Sequence, residues 1–216
     1  MVQKINRILL ASSSPRRFEL LRSLGVDVSV ISNGYDEIDT PGSLPIEVAM
    51  RHARGKLESA LARHAGTLQG SDNAIVIAAD TTVDVDGTAF GKPRDDAEAV
   101  RMLTALSGRK HIVHTAFAFL PVLAPVDPET SPDQIPKEPE ITAEINSTWV
   151  RFYKLSPDEI KDYVATEEPL DKAGAYGIQG FASALIAGIE GDFYTVMGFP
   201  LGRFLRSLRE LGLTLQ

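Results

Sequence analysis

The stretch Ile8–Gly25 reads ILLASSSPRRFELLRSLG. A short apolar run ends in three serines, followed by a proline and two arginines. Phe18, Leu21 and Leu24 then recur at helical spacing with Leu20 beside them, and a glycine closes the segment. Ser14 is placed to cap a helix, Pro15 suits its first turn and Gly25 its C-terminal stop. The reading is a buried strand running into a helix whose first turn carries Arg16 and Arg17. That end of a helix already bears about half a positive charge. Two arginines there are unfavourable unless an anion joins them. Backbone N–H groups and guanidinium forks are both available to it, and a phosphate group is the obvious candidate.

Outward from this segment, strands and helices alternate. Ile5–Ala11, Val26–Ser32 and the continuous apolar run Ala74–Ala79 read as strands, and Pro45–His64 as a long helix ended by Gly66. Thr82–Val85 and Thr88–Phe90 flank Asp86-Gly87, a hairpin signal. Arg94–Leu106 is amphipathic, and His111–Leu120 and Glu144–Tyr153 read as antiparallel partners. Ser156, Pro157 and Glu159 form a capping box for a helix through Val164, and Leu201–Leu211 reads as the C-terminal helix. The pattern predicts an α/β fold with a mixed, twisted β-sheet and flanking helices.

The 216 residues suffice for a sizeable core in one domain, read as 1–216 with a proline-rich insertion at about 121–140. Pro121–Pro139 holds six of thirteen prolines; it reads as an elongated connection between neighbouring strands, with a partner-binding segment as the other reading. Without cysteine, disulfides, zinc ribbons and thiol nucleophiles are excluded. Met1–Arg7 leads straight into the first strand, so no signal peptide is expected, and no apolar run is long enough to span a membrane. A cytoplasmic location is expected. The net charge of −7 argues against nucleic acid as a partner and means that a polyanionic small ligand needs locally gathered cations.

The second informative stretch is residues 75–94, IVIAADTTVDVDGTAFGKPR. A carboxylate at Asp80, where a buried strand is read to end, is placed to hold a divalent metal or activate water, or simply to start a turn. Asp84 and Asp86 read as solvated hairpin residues. Gly87 to Lys92 misses a P-loop: the glycine spacing is one short, and Pro93 stands where a magnesium-binding hydroxyl belongs. Lys92 can still meet a phosphate as a point charge. Lys56, in ARGKLES, reads as a solvated helix lysine, and Glu37, in YDEID, as part of a polar loop. In residues 169–191, Gly174, Gly177 and Gly180 recur every three residues. Such a loop admits close backbone approach to a ligand, or is a mobile surface loop, and Gln179 within it carries an amide able to read a base. Ser107–Lys110 matches S-x-x-K, a pattern common by chance. His111 and His114 read as core or strand-face histidines. There is no G-x-S-x-G elbow and no H-E-x-x-H.

In this order, SSSPRRFELL, AADTTV with GKPR, and DKAGAYGIQG, together with LSGRKHIVHTA and VMGFPL, resemble the Maf family of nucleoside triphosphate pyrophosphatases over nearly the whole chain. The resemblance implies two lobes around a deep cleft, akin to the inosine triphosphate pyrophosphatases. It implies hydrolysis of a nucleoside triphosphate to monophosphate and pyrophosphate with a divalent cation, Mg2+ or Mn2+, and a homodimer. It implies Asp80 as proton acceptor; Glu37 as a carboxylate tied to metal or catalysis; Lys56 and Lys92 among the cations at the triphosphate; and Ser12, Arg16 and Arg17 on the substrate. Arg16, Thr81 and Gln179 match positions tied to base selectivity. The chain has Asp80-Thr81 and Ile178-Gln179-Gly180, where the 7-methyl-GTP branch has Asp-Gln and Ser-Glu-Gly. It therefore resembles the branch acting on dTTP and UTP, with a role in clearing non-standard nucleotides. The alternatives are the 7-methyl-GTP type and a non-enzymatic regulator of septation.

Overall fold

The computed structural model describes residues 2–38, 42–68, 73–123 and 140–215. In chain order the strands are β1 (Gln3–Lys4), β2 (Arg7–Leu10), β3 (Asp27–Val30), β4 (Ala74–Val85), β5 (Thr88–Phe90), β6 (Lys110–Val122), β7 (Thr142–Phe152), β8 (Ile186–Glu190) and β9 (Leu213–Thr214). The helices are α1 (Pro15–Arg22), α2 (Pro45–Leu68), α3 (Asp96–Leu106), α4 (Pro157–Val164), α5 (Phe193–Met197) and α6 (Leu201–Glu210), with 3-10 turns between Glu168 and Leu185. Seven strands form one mixed sheet in the order β3-β2-β4-β6-β7-β8, with β5 hairpinned onto β4. β2 is parallel to β3 and β4; β4, β6, β7 and β8 run antiparallel in turn. The expected mixed α/β sheet is present. Among the described residues no helix is long and apolar enough to cross a membrane.

The apolar run of β4 is continuous because both of its faces are covered. Ala74, Val76 and Ala78 pack with Leu57 and Ala60 of α2 on one face. Ile75, Ile77 and Ala79 meet Leu20, Leu21, Phe204 and Leu208 of α1 and α6 on the other. Four fully buried phenylalanines, Phe117, Phe119, Phe199 and Phe204, stack edge and face there at 5.3–6.2 Å between centroids. Further along β4, Val83 and Val85 turn the same face towards a second cluster built with α3, α4, Ala175 and Tyr176. Two lobes thus sit on one face of a single strand, and the groove between them falls at Thr81.

Several boundaries differ from the sequence reading. β4 is one strand of 12 residues, so Asp80 does not end it. What ends is its neighbour: β2 pairs with β4 from Ala74 to Ile77 and β5 takes up the strand again at Val83, leaving a gap along β4 between them in which Asp80 and Thr81 lie. α2 continues through Gly66 to Leu68, whose buried side chain anchors the last turn to the core. Asp84 is not a solvated hairpin residue. It accepts from the Gly87 N–H at 2.7 Å and lies 3.3 Å from His114 Nε2. The Asp86-Gly87 turn is as expected, with both φ angles positive. β1, β8, β9 and α5 carry too little periodicity to be read. Of the proline-rich segment, residues 124–139 lie outside the described residues.

Candidate active site

A cleft of about 480 Å³ opens between the two lobes. Its lining includes Ser12, Arg16, Arg17, Glu37, Lys56, Asp80, Thr81, Lys92 and Gln179, so every candidate residue from the sequence faces one cavity.

α1 supplies one wall. Ser14 caps it as expected, with its side chain accepting from the Arg17 backbone N–H, and no acidic residue occupies the first turn. The two arginines are used differently. Arg17 spends three of its five donors on the protein: Nε on the Gly198 carbonyl at 2.8 Å, Nη1 on Ser12 Oγ at 3.3 Å and Nη2 on Thr81 Oγ1 at 3.0 Å. Burial lowers the proton affinity of this guanidinium, opposed by the Asp80 carboxylate. Gly198 has φ +110°, a backbone conformation that favours glycine, and its backbone lies against Thr81 and Arg17. Arg16 pairs with Asp171 across the cleft at 3.7 Å. It is the arginine able to turn to an incoming anion.

On the opposite face of β4 lies a charge cluster in which Lys56 and Asp80 are buried and Glu37 is exposed. Lys56 projects from α2, with its side chain 10% exposed, and donates to Asp80 Oδ1 at 2.6 Å and Glu37 Oε1 at 2.7 Å. The expectation of a solvated lysine fails because α2 lies on the sheet and points this residue at Asp80. The loop carrying Glu37 is pinned by Asn33, whose Nδ2 donates to the Ala11 carbonyl at 3.1 Å and whose own carbonyl accepts from Ser59 of α2. Burial raises the proton affinity of Glu37, but the hydrogen bond and charge of Lys56 outweigh it, so its carboxyl ionises below the usual range.

The third wall is the glycine-rich turn. Gly174 has φ +67°, and a Cβ there would come within 2.8 Å of Val83, so this turn lies directly on β4. Lys172 donates to the Glu168 carbonyl, Glu168 accepts from Tyr163 and the Phe181 N–H, and Tyr176 meets His111 at 2.6 Å. The turn that carries Gln179 is therefore tied down at several points, against the reading of a mobile loop. Asp171, Tyr176 and Thr115 were not marked as candidates from the sequence. The acidic and aromatic residues lay in a segment read for its glycines, and Thr115 in an apolar strand.

Metal binding can be judged from the donors. Among the described residues no group of three His, Cys, Asp or Glu side chains forms a cage. Asp80 and Glu37 nevertheless approach the same ammonium, which takes one oxygen of each. One or two carboxylates completed by phosphate oxygens and water is the donor set Mg2+ prefers. The residues fit a cation that arrives with a phosphorylated substrate.

The family model described as Maf-like protein matches residues 7–211. A dTTP/UTP pyrophosphatase of Symbiobacterium thermophilum is 43% identical over 208 residues, 96% of this chain and 95% of that one. A protein of the same name from Methylobacillus flagellatus is 42% identical, over 98% and 96% of the two chains. Another from Moorella thermoacetica is 41% identical, over 91% of each. The Ham1 protein of Staphylococcus aureus aligns at a TM-score of 0.38 and 16% identity, over 83% of this chain and 79% of that one, too loosely to bear on fold or function. The cleft residues and the match over nearly the whole length agree: the chain belongs to the Maf family.

Proposed function

We propose that the protein is a nucleoside triphosphate pyrophosphatase that hydrolyses dTTP and UTP to the monophosphate and pyrophosphate. The observation carrying this reading is the convergence, in one cleft, of the Lys56–Asp80–Glu37 cluster with the cations Arg16 and Lys92 and with Thr81 and Gln179. The relatives named dTTP/UTP pyrophosphatase support the substrate class.

A triphosphate carries roughly four negative charges near neutral pH. Arg16 and Lys92 meet that charge, and the Ser12 hydroxyl, which already accepts from Arg17 and from the Ser14 N–H, has its own hydrogen for a phosphate oxygen. Asp80, held by Lys56 through one oxygen, takes the proton of a water attacking the α-phosphorus with the other. The P–O bond to the β-phosphate breaks and pyrophosphate leaves, its developing charge offset by Arg16 and Lys92. Asp80 and Glu37 would hold a divalent cation, which would supply further neutralisation of phosphate charge. We place the reaction in the cytoplasm.

The test is a panel of UTP, dTTP, CTP and 7-methyl-GTP with Mg2+, following monophosphate and pyrophosphate. Preference for UTP and dTTP is expected. Preference for 7-methyl-GTP, release of orthophosphate, or no hydrolysis at all overturns the reading.

A further inference from the structure

Resting on that reading of the cleft, we infer that Thr115 and Arg17 are positioning residues that fix the Thr81 hydroxyl as a hydrogen-bond acceptor, so that the base-reading wall requires a ring N–H from its ligand.

The inference follows from counting donors. Thr115 sits on β6 directly opposite Thr81 on β4 and is fully buried. Its hydroxyl lies 2.7 Å from the Thr195 carbonyl, which can only accept, so the single Thr115 hydrogen is spent there. Thr81 Oγ1 is 3.0 Å from Thr115 Oγ1, and with the Thr115 hydrogen engaged, Thr81 must donate in this pair. Arg17 Nη2 can only donate, and it donates to Thr81 Oγ1 at 3.0 Å. A hydroxyl has one hydrogen and two acceptor positions. The hydrogen of Thr81 faces Thr115, one acceptor position faces Arg17, and a single acceptor position remains for the cleft.

The far end of this chain is itself fixed. The Asp192 carboxylate accepts from both the Thr195 N–H and the Thr195 hydroxyl at 2.8 Å, and Asn146 Nδ2 donates to that hydroxyl at 2.9 Å. The polarity of Thr81 is therefore set by a hydrogen-bonded frame in which Thr115 and Thr195 are buried.

The imide of uracil and thymine presents N3–H between two carbonyls and satisfies such an acceptor. Cytosine presents an unprotonated N3 at the same place and leaves two acceptors facing each other. To serve cytosine, the Thr81 hydrogen must abandon Thr115. Discrimination thus comes from Thr115, a residue with no contact to the ligand.

The test has two arms. The wild-type protein is assayed with UTP and with 3-deaza-UTP, which carries C–H where UTP carries N3–H. We expect kcat/KM to fall about tenfold for the analogue, the loss of one polar partner in a partly closed site. Thr115→Val and Thr115→Ser are then compared for the ratio of kcat/KM on UTP to that on CTP. Valine frees the Thr81 hydrogen, and the ratio drops about tenfold; serine keeps the donor to Thr195, and the ratio holds. A merely structural role of Thr115 would lower both nucleotides alike. Equal turnover of UTP and 3-deaza-UTP by the wild type, or an unchanged ratio in a folded Thr115→Val, overturns the inference while hydrolysis stands. Absence of hydrolysis by the wild type overturns the functional reading, and this one with it. If Thr115→Val does not fold, Thr115→Ala, which also removes the hydroxyl, is read for the same ratio in its place.

Discussion

Replacing Lys56 with methionine removes the ammonium from the cleft while keeping a side chain of nearly the same length and volume. Asp80, with its side chain 11% exposed, then has a carboxylate with no cation. Glu37, at 54%, stays in contact with water, and its pairing with Lys56 is worth at most about 1 kcal/mol. The penalty therefore rests on Asp80. Breaking a buried pair costs about 3–5 kcal/mol. A stranded carboxyl can also discharge itself by binding a proton. For a carboxyl of ordinary affinity that costs about 4 kcal/mol at pH 7 and about 1.5 kcal/mol at pH 5, which caps the penalty at each pH. The sign follows: the folded variant binds a proton more readily than its unfolded chain, so it regains stability relative to wild type as the pH falls. Urea denaturation of both proteins at pH 7 and pH 5 should show the variant less stable by up to about 4 kcal/mol at the first pH and roughly 2–3 kcal/mol closer to wild type at the second. Hydrolysis should be lost at both. A variant within about 0.5 kcal/mol of wild type at pH 7, or a penalty that does not shrink on acidification, refutes the view of Lys56 as the counter-charge of a buried carboxylate.

Asp80→Asn keeps an oxygen for Lys56 to donate to, so the fold should survive with unchanged circular dichroism while turnover of UTP falls by about a thousandfold or more. Arg16→Ala is expected to raise KM for the triphosphate with little change in melting temperature. Arg17→Ala, which strips Thr81, Ser12 and the Gly198 carbonyl of a donor, should lower melting temperature and base selectivity together. Burial, with a smaller contribution from Arg109, pulls the His111 imidazole down to about 4, so this residue folds neutral. Stability should be full above about pH 6.5 and decline towards pH 4, by up to about 3 kcal/mol. His111→Gln should flatten that decline in denaturation curves measured across the same range. A chelator should abolish hydrolysis without unfolding the protein, since the core clusters are apolar; a fall in melting temperature of the free protein with EDTA would contradict that.

The features legible in the sequence are those governed by neighbours along the chain. The Ser14 cap, the Ser156–Glu159 capping box and the Asp86-Gly87 turn are local chemistry, and each is present. So is the crowding of positive charge at the start of α1. What escaped is decided by packing between distant segments. ARGKLES does not say that Lys56 points into the molecule; the seating of α2 over Asp80 does. Nothing in the run around Asp80 reveals that the neighbouring strand stops at Leu10, which is what opens the cleft beside it. In the glycine-rich segment the contact of Tyr176 with His111 comes from a distant strand, while those of Glu168 and Lys172 are local side-chain contacts that the glycine spacing does not reveal. Thr115 carries no mark within an apolar strand, and its hydroxyl acquires meaning only from Thr81 and Thr195 across the sheet.

One strand carries both halves of the proposed chemistry. Asp80 and Thr81 are adjacent on β4, so the pleat sends the hydrolytic carboxylate to the α2 face and the hydroxyl to the opposite one. A single residue inserted upstream in β4 would turn the Asp80 carboxylate towards Arg17, and a single residue deleted there would present the Thr81 hydroxyl to Lys56. Changes of substrate in this scaffold must therefore arise by replacing side chains at fixed register. The same alternation insulates one task from the other: a substitution at 81 alters what the cleft admits without moving the group that cuts.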